Sequence, residues 1–163
     1  MSESLDYIEE NEKIGPGILG ALLFSLIGGV MWVILFWADM FPGICGTACV
    51  VLAMIGYRLF SKKSSLKGVF IAVGAAVCII LIAVYFCLAI DAYRAINEWY
   101  ANGEYGHAVS FLNAVAYSYQ FLTEPDIFLL LLKDFGWGML FCAFGAFTFI
   151  VDGVKQHRLQ KED

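Results

Sequence analysis

Charge is missing from long parts of this chain. Residues 14–38 contain no Asp, Glu, Lys or Arg, and neither do residues 68–90 or 135–151. Histidine is scarce, at two, and so is proline, at three. Basic residues number 10 against 15 acidic ones, for a net charge of −5. That balance excludes the basic surface that a phosphate backbone requires, so no nucleic-acid partner is expected. No HExxH, GxSxG or paired-acid motif is present, and the glycine pairs lie inside apolar runs, where they mean close packing instead of a phosphate cradle. His107, after Gly106, and His157, in the charged tail, have no Ser, Cys or carboxylate at a spacing that would expose a catalytic or ligand set. No catalytic residue, metal site or cofactor is expected. A positive leader is lacking too: Glu3, Asp6, Glu9, Glu10 and Glu12 stand against Lys13. The first apolar run therefore reads as a retained span, not as a secretory signal.

What remains is apolar. The chain of 163 residues is 61% hydrophobic, with a mean hydropathy of +0.76, well above the apolar share of ordinary soluble domains. Residues 17–37 as a helix would reach roughly 31 Å, the thickness of a bilayer's hydrocarbon core. The pattern predicts an all-α integral membrane four-helix bundle with spans at about 17–37, 43–60, 68–90 and 135–151. Residues 1–15 form an acidic N-terminal leader, 16–154 the four-span domain, and 155–163 a polar C-terminal tail. Pro16 suits the first turn of the first span, and Pro42 divides the first two spans. The third helix should outrun its span. Ile90, Tyr93, Ile96 and Tyr100 keep a helical spacing, Asp91, Arg94 and Glu98 share a charged face, and Asn102-Gly103 is the expected stop. Within the loop 91–134, Ala108, Phe111, Leu112, Val115, Tyr119 and Leu122 predict an amphipathic helix. Thr123-Glu124-Pro125-Asp126 predicts another helix start, ahead of an apolar stretch, 127–132, too short to span.

Small residues recur every fourth position on two spans: Gly17, Ala21, Ser25 and Gly29 on the first, and Gly138, Cys142 and Ala146 on the fourth. Such stripes let helix backbones approach where lipid removes the hydrophobic drive. Of ten basic residues, all but Arg94 and Lys133 fall on one side of four alternating spans. That side is assigned to the cytoplasm, with both termini, in the cell membrane. The opening IGPGILGALLFSLIGGVMWVILFW, then a second span ending in GYRLF and a basic loop, resembles an uncharacterised family of small four-span bacterial membrane proteins. The resemblance implies the same four-span build. That family carries no assigned activity, so no functional residue is implied.

Five cysteines remain to be explained. A four-span bundle with thiols toward its outer face is similar to quinone-linked disulfide-forming enzymes, but those need a reactive CxxC pair. Here the spacing is CGTAC and the long loop has no cysteine, so the expectation is cysteine as a small packing residue, with a structural disulfide as the alternative. Carboxylates are absent from the centre of every span, where they would mark ion or proton transport. Arg58 and Asp152, near the inner ends of the second and fourth spans, are candidates for an ion pair; the alternative is that each snorkels to water. Ser25, Thr47 and Thr148 lie deep enough to bond another helix. Trp99, Tyr100, Tyr105, Phe111 and Tyr119 mark the outer loop as aromatic, either resting on lipid headgroups or docking a partner. These features support a non-catalytic assembly or accessory protein, in contact with the lipid bilayer and with a membrane or extracytoplasmic protein partner. The alternative is a small-solute transporter or channel protomer, which four spans would form only as a homo-oligomer.

Overall fold

The computed structural model describes residues 13–62, 66–103 and 106–162, with side chains described at all of them except 66 and 152–162. The chain is helical, with no strand among the described residues. We label the helices α1 (Ile14–Trp37), α2 (Cys45–Ser61), α3 (Leu66–Ala101), α4 (Phe111–Tyr117) and α5 (Pro125–Glu162). Short 3-10 turns at Pro42–Ile44 and Ser118–Thr123 lead into α2 and out of α4. Four segments are long and apolar enough to cross a membrane: Ile14–Trp37, Pro42–Ser61, Lys67–Ala101 and Pro125–Val151.

Each boundary has a local cause. Asp39 ends α1 in the left-handed region at φ 55°. The Met40 N–H donates back to the Leu35 carbonyl at 2.9 Å, and the Asp39 N–H to Phe36 at 3.0 Å, which satisfies carbonyls that a helix end leaves open. Pro42 then fixes the first position of the next turn. α3 runs 36 residues, about 54 Å, and so outreaches a hydrocarbon core by several turns. It stops before Gly103, whose φ of +78° suits glycine. Ser110 caps α4 by accepting from the Asn113 N–H at 3.4 Å. α4 is shorter than the amphipathic pattern of 108–122 implies. Ser118 turns its hydroxyl back onto the Ala114 carbonyl, and the chain tightens there into a 3-10 turn. The last helix starts at Pro125 and continues without a break through Lys133 and Asp134. The apolar stretch 127–132 and the expected span 135–151 are thus parts of one 38-residue helix.

Backbone proximity, more than side-chain bulk, sets the packing. α1 lies on α2 and α3, and α5 lies on the same pair. Where α1 crosses α2, a Cβ on Gly20 or on Gly56 would run into the carbonyl oxygen of the other. A Cβ on Gly28 would stand 2.6 Å from the Cys49 sulfur, and one on Gly46 would stand 2.5 Å from the Gly138 carbonyl oxygen. Gly17, Ala21, Ser25 and Gly29 are all buried, as are Gly138, Cys142 and Ala146. Two large rings fill the remaining space. Tyr57 is wedged between Gly17 and Gly68, and Trp32, 1% exposed, lies against Gly138. All five cysteines are free, Cys78 exposed and the other four buried. Thr47 Oγ1 donates to the Phe141 carbonyl at 2.9 Å, and Cys142 Sγ to the Gly46 carbonyl at 3.3 Å, so both tie α2 to α5. Among the described residues, Ser25 and Thr148 bond within their own helices, to Leu22 and Gly145.

Candidate functional site

The end of the bundle that carries α4 gathers several polar contacts. α3 organises it, because its last turns run past the end of α1 and offer a face for the 106–123 segment to lie on. Tyr85 Oη donates to the Val115 carbonyl at 2.7 Å. Asn97 grips the Val109 backbone from both sides: its Nδ2 donates to the Val109 carbonyl at 3.1 Å, and its Oδ1 accepts the Val109 N–H at 3.1 Å. Tyr93 and Phe111 meet edge to face at 5.9 Å between ring centroids, a favourable aromatic geometry.

Arg94 joins the same stretch of α3 to the end of α1. Its guanidinium donates to the Trp37 carbonyl at 2.8 Å, lies 5.8 Å from the centroid of the Trp37 ring, and stands 3.7 Å from the Asp39 carboxylate. A cation at a helix C-terminus meets the negative end of the helix dipole and one of its open carbonyls.

Two recesses flank this stretch of α3. The smaller, about 30 Å³, lies where α1, α3 and α5 meet. Asp91 and Asp134 both line it, with Cys87, Trp32 and apolar side chains around them. The volume is enough for about one or two waters. Among the described residues no three His, Cys, Asp or Glu side chains gather as a metal site. The larger recess, about 290 Å³, lies between α3 and the 107–121 segment. Ala92 and Ile96 belong to α3, and His107, Asn113, Tyr117, Gln120 and Phe121 face them.

The aromatic residues predicted for the outer loop do not converge on either recess. Trp99, Tyr100, Phe111 and Tyr119 are exposed around the same end of the bundle, and Tyr105 lies outside the described residues. The Arg58 guanidinium lies 5.2 Å from the centroid of the Phe149 ring; its expected partner, the Asp152 side chain, is outside the described residues. Sequence reasoning passed over the roles of Trp32 and Tyr57. Each stands i+3 or i+4 from small residues, a signal that a large ring has a bare groove to fill. The pairing of Asp91 with Asp134 at one cavity has no signal in the sequence, since nothing in either helix alone shows that the two face it.

Comparison with protein-family models, with curated proteins and with solved structures gives no match.

Proposed function

We propose that this chain is a four-span integral membrane bundle that works as a non-catalytic assembly or accessory protein. The one observation that carries the membrane reading is its inside-out distribution of bulk. Small residues fill the helix crossings, while Leu19, Leu23, Ile34, Leu129, Phe144 and Phe147 are exposed. Water would not tolerate so continuous an apolar girdle, and lipid would. The distribution of basic residues supports a cytoplasmic side for both termini and the α2–α3 connection. The α4 end then faces outward, with Trp99, Tyr100, Phe111 and Tyr119 at the level of the headgroups or against an extracytoplasmic protein. The four-span bacterial family that the opening resembles fits this build, and the proposal takes no activity from it.

The second reading, an oligomeric small-solute transporter or channel protomer, draws on the carboxyl pair Asp91 and Asp134 at a shared recess. The small size of that recess weighs against it. The test is purification in mild detergent followed by reconstitution. A protein that brings down a specific partner and moves no solute in liposomes supports the accessory role. A homo-oligomer that conducts, and loses conduction with Asp91→Asn, supports the transporter.

A further inference from the structure

We propose that the recess between α3 and the 107–121 segment binds one neutral sugar ring, either free or as the headgroup of a glycolipid. The chemistry of the walls selects the class. No Asp, Glu, Lys or Arg lines the recess, so it holds no permanent charge to select an ionic ligand. The side-chain amides of Asn113 and Gln120 face it and have no protein partner among the described residues. Each offers an oxygen that accepts and an NH₂ that donates, the complement of a hydroxyl, which does both. His107 adds a further polar group to the lining. Tyr117 and Phe121 supply aromatic surface, and Ala92 and Ile96 a smooth apolar floor. A pyranose fits such a set: its edge is ringed with hydroxyls and its face is a plane of C–H bonds. A purely apolar ligand would strip water from the amides and return no hydrogen bond. The volume of about 290 Å³ stands at the small end of ligand pockets, so it suits one ring and not a chain of them.

The site extends the accessory role by giving the projecting end of the bundle something to recognise, and it stands whichever way the chain threads the bilayer. The test uses the full chain in phosphatidylcholine nanodiscs. One arm titrates free glucose, galactose, mannose and N-acetylglucosamine, read by saturation-transfer NMR. The other compares nanodiscs with and without a monohexosyl diacylglycerol, read by native mass spectrometry. Saturable binding is expected in at least one arm, and the arm that binds more tightly identifies the source. Asn113→Ala combined with Gln120→Ala should weaken it about tenfold while leaving the melting temperature in place. Should that variant fail to fold, Asn113→Asp with Gln120→Glu keeps the shape, removes the amide donors, and carries the same expectation. No saturable binding in either arm, binding unchanged in a folded variant, or a preference for a sugar phosphate would overturn the proposal.

Discussion

At the scale of single residues, the bundle depends on what is not there. A β-carbon at Gly56 has no room, because the Gly20 carbonyl occupies its place; Gly74, by contrast, has nothing within 4 Å of where a β-carbon would sit. Gly56→Val should therefore lower stability in detergent by about 1–3 kcal/mol, the usual effect of overpacking. Gly74→Ala should lower it not at all. Equal losses from the two would mean that the α1–α2 crossing is looser than described. The Thr47 hydroxyl bonds from one span to another, and Thr47→Val, which keeps the shape, should cost about 0.6 kcal/mol, the typical strength of such bonds between membrane helices. The four-residue repeat of small side chains exposed one packing face of α1 to sequence reading. Gly20 and Gly28, one position before Ala21 and Gly29, lie outside that repeat, yet both are buried, because α1 packs on two helices: Gly20 and Gly28 meet Gly56 and Cys49 of α2, while Gly29 meets Ile79 of α3.

At the scale of elements, α3 is the part that gives the molecule two unlike ends. Its length was legible, because apolar spacing continued past Ile90 to an Asn-Gly stop. α5 was legible in its start and not in its continuity: the stretch 127–132 and the span 135–151 read as separate, but the charges between them do not break a helix, and no proline follows them to do so. The convergence of Asp91 with Asp134 depends on how α3 and α5 are rotated about their axes, which neither sequence pattern fixes. Arg94 is the side chain by which α3 holds the end of α1. Arg94→Gln should quicken hydrogen exchange at the Asp39 and Met40 amides, which bond into that helix end. Because Arg94 is partly exposed and Asp39 nearly fully so, the loss of global stability should stay below about 1 kcal/mol. Unchanged exchange at those amides would show that the α1 end holds without this tie.

At the scale of the whole molecule, the proposal of a lipid solvent accounts together for a large apolar girdle and small helix contacts. Cys78 reports on this directly, since it is exposed on the surface of the folded chain. In water it would react at once with a charged maleimide; in a bilayer it should stay unlabelled until the membrane is dissolved and the protein denatured. The account's central claim, four crossings with the α4 end outside, is tested most directly by placing one cysteine at each end. In a cysteine-free background, Gly106→Cys should be labelled by an impermeant maleimide in intact cells, and Lys62→Cys only after the membrane is permeabilised. Labelling of Lys62→Cys from outside, or of both sites from the same side, would contradict it.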